Sequence, residues 1–375
     1  MTTVLQGQKQ VPFFNYSHFF QSQEEELTHI FQDVGRRGAF ILQKDTLKFE
    51  SLLAEYTGAK YAIGVANGTD ALIIALRAAG IGPGDEVIFS SHTYVATAAS
   101  IYFVGAIPVP VECLSDHMID PASVKLAITP RTKAIMPTQL NGRTANMDEL
   151  QALADQHKLL IIEDAAQGLG SRFKGKMAGT FGIAGTISFY PAKTLGCLGD
   201  GGAILTNDDL LYDTMKKMRD HGRNEKGEIV AWGLNSRLDN LQAAFLDAQL
   251  LRFPQVVQRR REMAALYHAQ LSTLSELQLP CPPEIDTDHF DAYQNYEIRA
   301  ENRDELKNYL KENGIGTLVQ WGGKAVHQIE SLGLSAKLPY TDYVFQRCLL
   351  LPFNMSLENS DIDYVCQTIH AFYKA

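Results

Sequence analysis

A basic surplus, long apolar runs and paired cysteines are all missing from this chain. Its 375 residues carry 34 Lys+Arg against 43 Asp+Glu, a formal net charge of −9. Binding to nucleic acid needs a basic face, so that class of partner is excluded. No apolar run approaches the roughly 20 residues of a membrane helix, which excludes a helical span. The N-terminal Met-Thr-Thr-Val-Leu-Gln-Gly-Gln-Lys lacks the basic and apolar regions of a signal peptide. Cys113, Cys197, Cys281, Cys348 and Cys366 are odd in number and form no Cys-x-x-Cys pair, so neither a disulfide framework nor a zinc site is indicated. The ten histidines show no His-Glu-x-x-His spacing. No Gly-x-Ser-x-Gly elbow supports a serine hydrolase. What remains is an acidic, cytoplasmic, globular protein, long enough for roughly two domains.

What the chain does have is alternation. Asp45 to Tyr56, Ala71 to Ala79 and Asn146 to His157 read as helices. Short apolar runs at Lys60–Ala66, Glu86–Ser90, Ile107–Val111, Ala134–Thr138, Leu159–Ile162 and Ile187–Tyr190 read as buried strands. That order predicts a mainly parallel sheet covered on both faces. After Leu241 the pattern changes to a long helix reaching Leu274, bent near Pro254, then a Pro-rich acidic connection. A strand from Tyr293 to Arg299, a helix from Arg303 to Asn313 and a closing helix from Ser360 complete the chain. The expected division is a large α/β domain over residues 1–250 and a smaller α+β domain over 251–375.

Three segments carry the chemistry. Lys193 follows the strand that delivers Ser188 and precedes a Gly-rich stretch. Either it is a surface loop lysine, or it is a desolvated amine made nucleophilic by a lowered pKa. Asp164 ends the run Leu-Leu-Ile-Ile-Glu-Asp, at the carboxyl end of a strand where open α/β sheets place ligands. Its alternative is a capping role; Gln167 lies within reach of the same space. Asn67-Gly-Thr69-Asp70 opens a helix and is either a phosphate cradle or an ordinary N-cap. Taken together, a lysine, a carboxylate and a phosphate cradle suit pyridoxal phosphate, with Tyr94 placed to cover its ring. His289 among Asp286, Asp288 and Asp291 reads as a solvated loop in preference to a metal site.

The same residues sit in motifs that resemble the DegT/DnrJ/StrS sugar aminotransferases, pyridoxal-phosphate enzymes of fold type I. The markers run in order: Asn67-Gly-Thr-Asp-Ala-Leu72, Gly82-Pro-Gly-Asp-Glu-Val87, Ser91-His-Thr-Tyr-Val-Ala96, Ile128-Thr-Pro-Arg-Thr-Lys-Ala134, Glu163-Asp-Ala-Ala-Gln167, Ser188-Phe-Tyr-Pro-Ala-Lys193, Leu198-Gly-Asp-Gly-Gly-Ala203 and Asn235-Ser-Arg-Leu-Asp239. The resemblance implies a seven-stranded sheet in the large domain. It also implies that Lys193 bonds the cofactor and shuttles the proton. Asp164 would pair with the pyridine nitrogen, Gln167 with the ring hydroxyl, and Tyr94 would stack. Thr69, Ser188 and the backbone N–H of Asp70 would hold the phosphate, and Asn235 would reach it from a partner subunit, making a homodimer. Arg223 and Lys226 would meet a substrate diphosphate unless they are solvated loop charge, and His327 would lie near the sugar. The implied reaction passes an amino group, with L-glutamate as donor, to a nucleotide-linked keto-deoxy sugar, 3-keto favoured over 4-keto. Two departures stand out: Thr194 where relatives commonly have Asn, and Gln320-Trp-Gly-Gly-Lys-Ala-Val-His327 in place of a Tyr-Pro form. A cofactor-binding regulator and a non-sugar aminotransferase are the alternatives.

Overall fold

The expected alternation is realised in a computed structural model that describes residues 9–374. Residues 1–8, most of the stretch read above for a targeting signal, lie outside the described residues. Three helices come first: α1 (Tyr16–Gln21), α2 (Glu24–Arg37) and α3 (Lys44–Thr57). Strands and helices then alternate through β1 (Tyr61–Val65), α4 (Gly68–Ala78), β2 (Glu86–Ser90), α5 (Val95–Phe103), β3 (Ile107–Val111), α6 (Pro121–Ala127) and β4 (Thr132–Met136). Next come α7 (Met147–His157), β5 (Leu160–Asp164), the short pair β6 (Arg172–Phe173) and β7 (Lys176–Met177), β8 (Ala184–Ser188), β9 (Gly202–Thr206) and α8 (Asp209–Met218). Side-chain caps fix several helix starts: Asn67 Oδ1 accepts the Asp70 N–H at 2.8 Å, and Asp208 accepts two N–H groups of α8.

The main sheet has seven strands in the order β1-β9-β8-β5-β4-β2-β3, all parallel except β9. Two strand readings need correction. The strand expected at Ile187–Tyr190 lies three residues earlier, because its start must be small. A Cβ on Gly185 would sit 2.1 Å from the Gly179 carbonyl oxygen, so the usual bulky apolar signal is missing there. For the same kind of reason β9 was hidden in the Gly-rich stretch: a Cβ on Gly202 would lie 2.5 Å from the Asn67 carbonyl carbon.

The last third contains α9 (Asn240–Leu250), α10 (Phe253–Leu271), β10 (Leu277–Gln278), β11 (His289–Phe290), β12 (Tyr296–Ala300), α11 (Arg303–Glu312), α12 (Pro339–Arg347), β13 (Cys348–Leu351) and α13 (Asn359–Lys374). The single long helix expected from Leu241 is broken in two, just ahead of Pro254. Proline is tolerated in the first turn of α10, where its missing N–H costs nothing. β10, β12 and β13 form an antiparallel sheet whose core joins Tyr267, Tyr296, Leu310 and Ile362. Val11, from the far end of the chain, packs into that core and bridges to Ile315. The acidic run at 286–291 is only partly a solvated loop, for Asp288 is exposed while its neighbours are held. Asp286 and Asp291 grip Arg143 at 2.6 and 2.7 Å, and His289 pairs with Asp286 at 2.7 Å. No helix among the described residues is long and apolar enough to cross a membrane.

Candidate active site

The parallel strands aim their carboxyl ends at one cavity of about 760 Å³. Thr69, Asp70, Tyr94, Asp164, Gln167, Ser188 and Lys193 all line it. β5 ends on Asp164, β8 ends on Ser188, and the turn after β8 carries Lys193, whose N–H donates to the Tyr190 carbonyl at 2.8 Å. Burial pushes the Lys193 amine down to about 8, with the nearby Asp164 carboxylate pulling the other way. Burial raises the Asp164 pKa, opposed by the Thr97 hydroxyl, the Ala166 N–H and the Lys193 charge.

Asp164 is held by a polarised hydroxyl chain. Thr97 Oγ1 donates to its Oδ2 at 2.6 Å, and the Ala166 N–H donates to its Oδ1 at 3.2 Å. Thr97 has spent its one proton, so in the 2.7 Å contact with Thr93 it must accept, and Thr138 donates to Thr93 at 3.0 Å. All three threonines are buried. At the opposite side of the cavity a Cβ on Gly68 would press on Ser188 Cβ at 3.0 Å, so the glycine lets the start of α4 approach Ser188. The Asp70 N–H, expected to face a phosphate, is instead taken by the Asn67 cap. Thr69 and Ser188 remain the donors expected at that end. Tyr94 is half exposed and lies 5.3 Å from the Trp321 ring, centroid to centroid.

Gln167 has a defined orientation. Its Oε1 accepts the Asn141 N–H at 2.9 Å, which turns its NH2 group toward the cavity. Asn141, at φ +55°, was not anticipated from the sequence, and neither was Gln294. The buried Gln294 side chain brackets the lysine: it accepts from the Thr194 N–H and donates to the Ala192 carbonyl, both at 2.8 Å. Gln320 and Trp321 also line the cavity; their signal was the unusual Gln-Trp-Gly-Gly motif. Phe13 and Phe14 reach it from the N-terminal segment with no sequence signal at all.

Four expected residues are not in the cavity. Asn235 is exposed on a bridge to Asp220, and Arg223 and Lys226 sit on the exposed stretch that follows. His327 does not face the cavity, because both its ring nitrogens are already used. Nδ1 bonds the Ser91 hydroxyl at 2.7 Å and Nε2 bonds Asp342 at 3.0 Å. A buried cluster that spacing did not reveal joins His92, His117 and Glu297, with ligand atoms all within 4.8 Å of one another. His117 Nδ1 stands 2.9 Å from a Glu297 carboxylate oxygen.

A lysine of lowered pKa beside a buried carboxylate, on this sheet, defines a pyridoxal-phosphate-dependent aminotransferase. Comparison with known proteins narrows the class. The chain belongs to the DegT/DnrJ/EryC1/StrS aminotransferase family, whose model matches residues 21–370. It is 40% identical to a protein of Geobacillus stearothermophilus named pleiotropic regulatory protein, over 97% of this chain and 99% of that one. It is 39% identical to the UDP-2-acetamido-2-deoxy-3-oxo-D-glucuronate aminotransferase of Pseudomonas aeruginosa, over 90% of this chain and 93% of that one. Among solved structures it resembles DesV of S. venezuelae in complex with a ketimine intermediate, with a TM-score of 0.93, 37% identity and coverage of 98% and 99%. It also resembles NtdA of Bacillus subtilis with bound cofactor PMP, with a TM-score of 0.90, 27% identity and coverage of 99% and 87%.

Proposed function

We propose that this chain transfers an amino group from L-glutamate to a nucleotide-linked keto-deoxy sugar, with a 3-keto sugar favoured over a 4-keto one. The observation that carries the reading is the meeting in one cavity of Lys193, with its amine near neutrality, and the buried carboxylate of Asp164. The sugar follows from relatives such as the 3-oxo-glucuronate aminotransferase. The donor set fits pyridoxal phosphate: a lysine amine, a carboxylate, an inward-facing amide NH2 and a helix start closed down by glycine. Bound there, the cofactor supplies a carbonyl open to amines and a ring that withdraws electrons from the reacting carbon.

The chain's own groups then have separate tasks. Lys193 Nζ is the nucleophile, and being half neutral near pH 8 it can take a proton at one carbon and return it at another. Asp164 would hold the proton on the ring nitrogen. Gln167 Nε2 would donate to the ring hydroxyl, and Tyr94 would cover the ring. Thr69 and Ser188 would bind the phosphate, assisted by the positive end of α4. This local positive potential lets a protein of net charge −9 receive anionic ligands.

A homodimer completes the reading. Ile229 and Trp232 are 71% and 96% exposed, an apolar patch that a monomer would leave in water. Asn235 follows closely, so a partner seated on this patch would bring Asn235 toward the neighbouring phosphate, and Arg223 and Lys226 toward the diphosphate. A regulatory role is the second reading, favoured by the name of the Geobacillus relative. The test is mass spectrometry of reactions with glutamate and a panel of 3-keto and 4-keto nucleotide sugars, beside Lys193→Ala. Amination of a sugar, lost in the variant, supports the transferase. Cofactor binding without turnover of any sugar supports the regulator, and amination of keto acids alone refutes the sugar assignment.

A further inference from the structure

Behind the cavity wall, Glu297 is buried in β12 and does not itself line the cavity. Its Oε2 accepts from Asn141 Nδ2 at 2.5 Å and from Gln320 Nε2 at 3.2 Å. His117 Nδ1 stands 2.9 Å from Oε2, and His92 Nε2 stands 3.5 Å from Oε1. Burial would raise the pKa of this carboxyl, but the two imidazoles outweigh it and hold the group well below the usual range. An ionised carboxylate can only accept, and this sets the direction of every amide around it.

The consequence passes outward one residue at a time. Asn141 must turn its NH2 to Glu297, so its Oδ1 faces the other way. That oxygen accepts from Gln320 Nε2 at 2.8 Å and from Asn295 Nδ2 at 2.9 Å. Gln320 thereby spends both amide hydrogens, on Asn141 and Glu297. Asn295 spends its own on Asn141 and, at 3.5 Å, on Gln167. The atoms these two residues have left are carbonyl oxygens, and both residues line the cavity.

We propose that Glu297 is a positioning residue that fixes the cavity wall as a pair of acceptors, Asn295 Oδ1 and Gln320 Oε1. The substrate class they select is a keto sugar bearing hydroxyl or acylamino N–H donors beside its ketone, in preference to one with bare methylene there. The inference rests on the sugar reading above and adds the groups that the sugar must carry. A ligand with hydrogen where the wall expects a donor leaves two desolvated carbonyls unpaired, a loss of about 10–100-fold. Glu297→Gln puts donors where only acceptors stood, so Asn141 can reverse and the polarity of the wall is no longer fixed.

The experiment uses the cofactor-loaded protein and two nucleotide-linked keto sugars that differ only in hydroxyl or acylamino groups against hydrogen beside the ketone. Amination is followed by mass spectrometry, and the Kd of each corresponding amino sugar is measured by calorimetry. Expected is a preference of about 10–100-fold for the donor-bearing sugar in the native protein, shown in both KM and Kd. It should fall below about threefold in Glu297→Gln and be largely kept in Glu297→Asp. Should Glu297→Gln fail to fold, Gln320→Met removes one acceptor directly and should lower the preference by about tenfold. Equal handling of the two sugars by the native protein, or an undiminished preference in Glu297→Gln and Gln320→Met, overturns the proposal alone. A native protein that binds and aminates neither sugar, while still exchanging amino groups with its donor, overturns the sugar reading and this inference with it.

Discussion

Replacing Thr97 by valine should weaken the hold on the cofactor without disturbing the fold. Valine has nearly the same shape and is also β-branched, so α5 keeps its backbone and its packing. What disappears is a short hydrogen bond to a buried carboxylate, 2.6 Å from Asp164 Oδ2, together with the acceptor of the Thr93 hydroxyl. Hydrogen bonds to charged groups contribute about 1.5–3 kcal/mol. At 1.36 kcal/mol per pKa unit, the Asp164 pKa should rise by about 1–2 units, beyond what burial already does. A protonated Asp164 cannot pair with a protonated ring nitrogen. The Kd for pyridoxal phosphate should therefore increase by about 10–100-fold where the variant is protonated and the native protein is not. The sign with pH follows: the deficit is largest at low pH and closes as pH rises and Asp164 ionises in both proteins. Fluorescence quenching of the apoprotein by pyridoxal phosphate, from pH 5.5 to 9, measures it. Thr97→Ser, which keeps the hydroxyl, should restore the native curve. Superimposable curves for Thr97→Val and the native protein would refute the reasoning.

Lys193 sets a second pH dependence. With its amine near 8, the neutral fraction falls about tenfold per pH unit below that value. Stopped-flow absorbance should show capture of pyridoxal phosphate rising with pH and levelling above about 9, where an ordinary lysine would keep climbing. Gln294→Leu strands the Thr194 N–H and the Ala192 carbonyl beside the nucleophile. Its deuterium exchange should speed up at residues 192–196, with a local loss of about 2–4 kcal/mol. For the proposed homodimer, Trp232→Asp should shift sedimentation velocity toward monomer and reduce activity per chain, while the isolated chain keeps its melting cooperativity.

The sequence made some of this plain and hid the rest. Strands such as β2 and β5 announce themselves because both faces are covered and each carries a run of three bulky apolar residues, Val87-Ile-Phe89 and Leu160-Ile-Ile162. β8 was read three residues late and β9 not at all, because close backbone approach demanded Gly185 and Gly202 where a strand normally shows bulk. Lys193, Asp164 and Gln167 were legible because each terminates a recognisable run at the edge of the sheet. Asn141, Gln294 and Glu297 were not. Their roles arise from contacts across more than a hundred residues, as from Gln294 to Ala192, and polar residues in loops look alike in a sequence. His327 was misplaced for the opposite reason: its position suggested a ligand contact, while Ser91 and Asp342 had already claimed its ring.

The bracket around Lys193 bears on how such a protein can be rebuilt. Gln294 belongs to the last third of the chain, and its carbonyl, with those of Tyr293 and Phe353, accepts from the buried guanidinium of Arg260 at 3.0–3.3 Å. The nucleophile is thus clasped by a segment that α10 rivets in place. A chimera that exchanges residues beyond 250 to acquire a new sugar preference would import a foreign clasp as well. Grafts that retain Arg260 and the stretch 292–295 while replacing 318–328 would change the Gln320 side of the cavity wall and leave Asn295 and the clasp on the nucleophile intact, and those are the joints at which this enzyme can be cut.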